Sequence, residues 1–181
     1  MNRLRRSLLL GVGTLSTLGF AAPYQASSGQ AIFDYRVVLL PVEGKTAQVS
    51  AALDFNPDDL ASVSGTVRVN VASLKTGNSL RDDHMAGALG AAQFKDAVFT
   101  LSGVQGLGRL PEGQAVSTTV NGQLSLKGVS KPLSAPVKLM RQGSSVAVAT
   151  QFKFNPHDFG VNYPGGASSI AVNVSFKVQT P

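Results

Sequence analysis

The sequence predicts an all-β domain of about eight strands, arranged as a barrel or a sandwich. Three observations carry that reading. Apolar and polar residues alternate with a period of two through most of residues 30–180, and the apolar set is rich in Val and Phe. The gaps between alternating runs are mostly short and hold Gly, as hairpin connections do. No linker, low-complexity run or composition shift divides the chain, so one domain is expected.

Taken in order, strands are expected at about 30–40, 45–55, 63–71, 97–104, 115–127, 129–140, 144–155 and 168–180. In "SGTVRVNV" Val67, Val69 and Val71 alternate with Thr66, Arg68 and Asn70. "VNGQLSL" sets Val120, Leu124 and Leu126 on one face, and "VAVATQFKF" sets Val146, Val148, Phe152 and Phe154. The last run, "SIAVNVSFKVQT", is the most regular: Ile170, Val172, Val174, Phe176 and Val178 oppose Ala171, Asn173, Ser175, Lys177 and Gln179. "PVEGK" and "RQGSS" are short enough to be hairpin turns. Only 72–95 is a long connection, and Met85–Phe94 suits a helix within it. Two similar stretches, "FNPDDL" (55–60) and "FNPHDF" (154–159), each follow a strand. Asn as cap, Pro at the first helical position and an early Asp make them capped turns, and six residues do not establish a duplication.

Ahead of the strands, Arg3, Arg5 and Arg6 precede an apolar run from Leu8 to Phe20. Gly19 and Ala21 then place small residues before a cleavage point near Ala21/Ala22. Residues 1–21 therefore read as an export signal and 22–181 as the domain, placed in the periplasm or cell envelope or secreted. The apolar run falls short of the ~20 residues that span a bilayer. Without the signal, Lys and Arg fall from 16 to 13 against 10 Asp and Glu, a charge of about +3. No basic cluster interleaved with aromatics remains, which argues against nucleic acid as a partner. The absence of Cys removes thiol catalysis, cysteine zinc sites and haem attachment, and leaves burial to stabilise an exported chain.

The densest polar stretch is "KTGNSLRDDHM" (75–85), in a chain only 14% charged. As a metal site it would offer Asp82, Asp83 and His84, but Arg81 beside them repels a cation, and the other histidine, His157, is remote in sequence. A Ser–His–Asp hydrolase would want a nucleophile elbow, and no "GxSxG" is present. A structural role needs less: Thr76, Asn78 and Ser79 suit a turn or helix start, and Arg81 can fork onto Asp82 or Asp83 to clamp the loop.

These residues also carry a family resemblance. The run "SGTVRVNVASLKTGNSLRDDHM" resembles the signature of the YceI-like family: a strand, Ser-Leu, Thr-Gly-Asn, then Arg-Asp-x-His-Met/Leu. "GQLSLKGVSKPLSAPV" (122–137) is similar to that family's Gly-x-Leu-x-x-x-Gly-Val-[Thr/Ser]-Lys-Pro strand pair, and "DFGV" (158–161) to its Asp-Phe-Gly segment. The resemblance implies one extended lipocalin-like antiparallel β-barrel with a short helical loop near residues 78–95. It also implies a long apolar channel for polyisoprenoid chains and a periplasmic setting, and it admits a homodimer. Carried over, Thr76, Asn78, Arg81, Asp82 and His84 match the motif and would sit on the loop capping the barrel mouth. Two departures stand out. Pro156 occupies the place where an Arg often precedes Asp-Phe-Gly, with His157 next to it, and Lys95-Asp96 replace a Pro before the following strand.

Strand parity supplies the expected channel lining: Val49, Leu53, Val67, Val69, Phe99, Leu124, Leu126, Val148, Phe152, Ile170, Val172, Val174 and Phe176. A one-residue slip in any strand would turn its set outward. An eight-stranded barrel is just wide enough either to fill itself or to hold one elongated ligand, so the same residues suit a packed core or a lipid channel. The resemblance favours the channel: non-enzymatic binding, sequestration or transport of an apolar, isoprenoid-type lipid, with no cofactor and no metal. Three alternatives remain: an enzyme using Asp82, His84 and His157, a filled barrel acting through its surface, and an outer-membrane barrel. The last would carry aromatic girdles, and this chain has no Trp and three Tyr.

Overall fold

The computed structural model describes residues 23–179. The export-signal reading of 1–21 lies outside them. The strands are β1 (Tyr24–Ala26), β2 (Gly29–Val37), β3 (Leu40–Thr46), β4 (Val49–Asn56), β5 (Asp59–Asn70), β6 (Asp96–Val104), β7 (Ala115–Leu126), β8 (Val129–Gln142), β9 (Ser145–Phe154) and β10 (Ile170–Gln179). One α-helix, α1 (Ser79–Leu89), and two 3-10 segments, Val71–Ser73 and Pro156–Phe159, lie among them.

Ten segments make an eight-stranded closed barrel because two of its staves are bent. β1 and β2 form one stave on either side of a break at 27–28, and β3 and β4 form the next across 47–48, of which only β4 goes on to pair with β5. Thus β2 pairs with β10 and β3, whereas β1 pairs with β10 at Gln25↔Gln179 and with β4 at Tyr24↔Leu53 through Ala26↔Ala51. Every other pairing joins consecutive strands antiparallel, from β4–β5 round to β9–β10. The 47–48 bend is fixed by buried Thr46, whose Oγ1 accepts from Gln48 N at 2.9 Å and shares a 2.6 Å hydrogen bond with Ser73 Oγ. Where β3 diverges from β5, its free edge is covered by the incoming loop through reciprocal Lys45–Lys75 backbone bonds of 2.9 Å.

The strand map follows the alternation, with two corrections. "PVEGK" is not a turn: it lies inside β3, and the hairpin turns at Val38-Leu39. Gly44 stands in that strand because the Phe33 ring lies over it, where a Cβ would collide with the ring. A glycine's sequence signal is the same for a turn and for a close approach. Second, the helix is not Met85–Phe94 but Ser79–Leu89. Asn78 caps its start, accepting from Arg81 N at 3.0 Å, and Gly90 ends it in the left-handed conformation at φ 62°. The two Asn-Pro turns cap as expected, with Asn56 Oδ1 accepting from Asp58 N and Asn155 Oδ1 from His157 N. They lie at opposite ends of the barrel, so they share no site.

The charged stretch holds the helix across one barrel end, by a route other than the one expected. Arg81 does not fork onto Asp82 or Asp83. Its Nε donates to Thr76 Oγ1 at 2.9 Å and its Nη2 to Thr76 O at 2.8 Å. Successive helical residues do not face each other, so Arg81 and Asp82 instead meet on Thr76, two residues before the cap. Asp82 is buried, and its Oδ1 accepts from Thr76 N at 2.8 Å and Thr76 Oγ1 at 2.6 Å. Lys75 Nζ lies 3.7 Å from Oδ2. The Thr76 hydroxyl bond, with help from the Thr76 amide and the nearby Lys75 and Arg81 charges, outweighs burial and holds the Asp82 carboxyl below its ordinary 3.8.

Two outcomes follow. The unfolded chain binds a proton at Asp82 more readily than the folded one, so this contribution is complete above the ordinary carboxylate range and is lost as pH falls below 3.8 through the lowered folded value. Amide hydrogen exchange across α1 should therefore speed up in that window, whereas Asp82→Asn should exchange faster already at pH 7 and lose this step. Gly122, in β7, lies under the Phe99 ring and against Thr100 O, where an added Cβ has no room. Gly122→Ala should cost ~1–3 kcal/mol in urea unfolding.

Candidate functional site

The barrel interior is not filled by its own side chains. A cavity of about 560 Å³ runs along it, and its walls are almost wholly apolar. Every strand but β1 contributes its inward parity: Phe33 and Tyr35 from β2, Leu40 and Val42 from β3, Leu53 and Phe55 from β4, Val67 and Val69 from β5, Phe99 and Leu101 from β6. Leu124 and Leu126 follow from β7, Leu133 and Val137 from β8, Val148 and Phe152 from β9, and Ile170 to Val178 from β10. The outward parity is polar, with Arg68, Lys138, Lys153 and Lys177 exposed. An outer-membrane barrel would present an apolar band there.

The two ends differ. At the closed end the 105–114 segment folds under the barrel, with Leu110 N donating to Pro57 O at 2.6 Å and Leu60 N to Gly108 O at 2.9 Å. Leu110, at 1% exposure, plugs the floor beside Leu60 and Val178. Arg141 latches this end: its Nη1 donates to Asp58 Oδ1 at 2.7 Å and its Nε lies 3.3 Å from Glu112 Oε2. The opposite end is the mouth. Around it stand the β2–β3 hairpin, α1 with the segment leading to it, and the 155–169 loop.

Of the residues the sequence nominated for the lining, all but Val49 are on the cavity wall. Val49 points inward as its parity requires, but it is 1% exposed and packed against the backbone at Gly29, where the staves bend and leave no space. At the mouth, Thr76, Asn78, Arg81 and His84 border the cavity. Asp82 does not, because its carboxylate is turned to Thr76. His84 Nδ1 lies 3.4 Å from Tyr163 Oη, and His157 is exposed on the 3-10 segment. Among the described residues no three His, Asp or Glu side chains are grouped as a metal would require. Pro156 is buried against the cavity wall, and the cation near the Asp-Phe-Gly segment is Lys127, whose Nζ donates to Gly160 O at 2.8 Å.

Other cavity residues went unnoticed in the sequence. Tyr35, whose hydroxyl is pushed up in pKa by burial, continues the Phe33 parity and was legible as such. Tyr163, Leu80 and Leu110 sit in loops or on the helix, where no alternation marks a facing, and only the folded chain brings them to the cavity.

Known proteins share this architecture. A barrel described as a polyisoprenoid binding domain from Saccharophagus degradans, implicated in plant cell wall breakdown, superposes with a TM-score of 0.72 at 14% identity, covering 90% of this chain and 100% of that one. BcnA of Burkholderia cenocepacia gives 0.69 at 22% identity, over 83% and 95% of the two chains. The YceI protein of Campylobacter jejuni gives 0.66 at 17%, over 98% and 99%. At these identities the likeness shows the fold. In sequence, Protein YceI of Salmonella arizonae is 31% identical over 121 residues, 62% of this chain, and that match spans 60% of the Salmonella protein's length. The YceI-like domain pattern matches residues 23–180, essentially the whole barrel. The chain belongs to the YceI-like domain family.

Proposed function

We propose that this protein binds, sequesters or transports an apolar, isoprenoid-type lipid inside its barrel, in the cell envelope after export. One observation carries the reading: an apolar cavity of about 560 Å³, blind at one end, whose polar lining groups stand mostly at its mouth, with Thr150 the exception along β9. Ligand sites of this kind are concave, largely apolar, and supplied with a few polar groups that fix orientation. If each non-hydrogen atom needs the ~30 Å³ that water takes in the liquid, the cavity of about 560 Å³ holds about twenty. A chain of three or four isoprene units would fit within it, and a longer one would leave its remainder at the mouth. Each methylene removed from water contributes about 0.8 kcal/mol. Fifteen carbons give roughly 12 kcal/mol gross, before the costs of ordering and immobilisation.

The mouth fixes which end of the lipid stays outside. Arg81 places a guanidinium at the rim, and Thr76, Asn78, His84 and Tyr163 add hydrogen-bonding groups. A head group bearing oxygen or phosphate is the natural partner for such a set. The family relationship and the neighbour described as polyisoprenoid-binding support an isoprenoid over a straight alkyl chain. The reading needs no covalent step: Asp82 is engaged by Thr76 and Lys75 and is not offered to a substrate.

Native mass spectrometry of protein purified from its own host, with solvent extraction, should show an adduct of a few hundred daltons that partitions as a prenyl lipid. A bare mass with no uptake of added farnesol or isoprenoid quinone would sink the proposal. Val172→Trp, on the wall of β10, should cut farnesol uptake at least about tenfold by occupying the channel. Its circular dichroism should match the parent, because the indole enters open space and not a packed core. Unaltered uptake by that variant would place the ligand elsewhere.

A further inference from the structure

Among the described residues the exposed large aliphatic side chains are Val38, Leu39, Leu40 and Leu80, at 73%, 84%, 71% and 64% exposure. All four lie at the mouth. Val38 to Leu40 form the tip of the β2–β3 hairpin, and Leu80 is in the first turn of α1. Leu40 and Leu80 also border the cavity, so the apolar interior continues outward onto an exposed apolar rim.

The tip is held in place and is not a frayed turn. Val38 has φ 58°, a conformation that β-branched residues seldom adopt and that Gly or Asn would take more readily. Val38 N donates to Gly165 O at 2.6 Å, and Ala167 N donates to Arg36 O at 2.9 Å, bracing the hairpin against the 155–169 loop. A turn needing only reversal would not keep a strained Val38 with exposed Leu39 and Leu40 beside it.

We propose that the mouth end docks on the surface of an anionic lipid bilayer, with Val38, Leu39, Leu40 and Leu80 inserted at the headgroup–acyl boundary, so that lipid passes between membrane and cavity without crossing water. A second copy of the chain fits the patch less well. Four aliphatic side chains expose at most a few hundred Å², against the ~800 Å² per partner of a stable interface. A bilayer needs no such matching area. The charges nearest the apolar tip agree with this occupant, while the exposed acids Asp83 and Asp158 stand on α1 and on the 3-10 segment and not on the hairpin. Arg36 is one residue from the strand end at the tip and exposed, placing a cation at headgroup level, and Lys75 and Arg81 are exposed on the facing segment. The acids of the same hairpin, Asp34 and Glu43, pair three rungs down the ladder, about 10 Å further from the membrane.

The inference rests on the lipid-binding reading, and its test separates the two. Vesicles of phosphatidylethanolamine and phosphatidylglycerol are floated with the purified protein, and farnesol delivered from ethanol is measured separately as uptake from solution. The wild type should float with the vesicles. Leu39→Asp, which changes a residue outside the cavity wall, should lower the floating fraction at least about tenfold, with farnesol uptake from solution unchanged. Arg36→Gln should weaken flotation with phosphatidylglycerol vesicles and leave it unchanged with purely zwitterionic ones. A wild type that takes up farnesol but never floats overturns docking and leaves the binding function standing. One that floats but takes up no farnesol upholds docking and overturns the function. Flotation of Leu39→Asp equal to the wild type, or a wild-type dimer that this substitution splits with no vesicle binding, overturns the docking surface.

Discussion

Closure of the backbone ladder is the constraint on which the rest of this structure depends. A sheet of this length left open would present two unpaired edges and one wide apolar face, and would pair with another copy or collapse on itself. Here β10 is paired on one side by β9 and on the other by β2 and then β1, and those segments lead through β3 and β4 back to β5. The two bends, at 27–28 and 47–48, let staves of unequal course satisfy this ring. Once the ring is closed, its diameter is set by backbone geometry and not by the side chains within. The interior can then stay open, because the walls are held apart by hydrogen bonds that do not need a packed centre.

With the wall self-supporting, polar side chains are spent at the two ends and apolar ones along the length. At the floor, Arg141 gathers Asp58 and Glu112, and the 105–114 segment drives Leu110 upward as a plug. At the mouth, Thr76 is the hub: it donates two bonds to Asp82 and accepts two from Arg81. The dense charge of residues 75–85 is thus mostly consumed in fastening α1 across the opening. What remains at the rim is a modest set of donors and acceptors beside an apolar path, which suits an amphiphile with a small head and a long tail.

The chemistry of the lining agrees with this division. Aromatic rings pack against the wall where glycine leaves room, Phe33 at Gly44 and Phe99 at Gly122. Val49 shows the converse: where the bent staves approach Phe176 and Gly29, an inward aliphatic side chain closes the space. The boundary between open channel and packed core is therefore set by where the staves bend, not by which residues are apolar.

The strand count, the antiparallel order of neighbours and the inward parity of most strands were legible in the sequence, because a period-two alternation is a local signal and short gaps permit only adjacent antiparallel pairing. The helix was expected at Met85–Phe94, so both of its ends were misplaced, although Asn78 and Ser79 already suited a turn or a helix start. Gly44 was misread as a turn because the ring that explains it is eleven residues away in sequence and opposite it in the ladder. Arg81 was assigned the wrong partner because the direction a side chain takes from a helix start depends on the loop packed beside it. Tyr163, Leu80 and Leu110 reach the cavity from elements with no alternation to show their facing. Whether the barrel is hollow or filled was beyond any local pattern. That volume is the difference between the space enclosed by a ring of eight staves and the summed bulk of side chains from all of them, and only the closed structure fixes both.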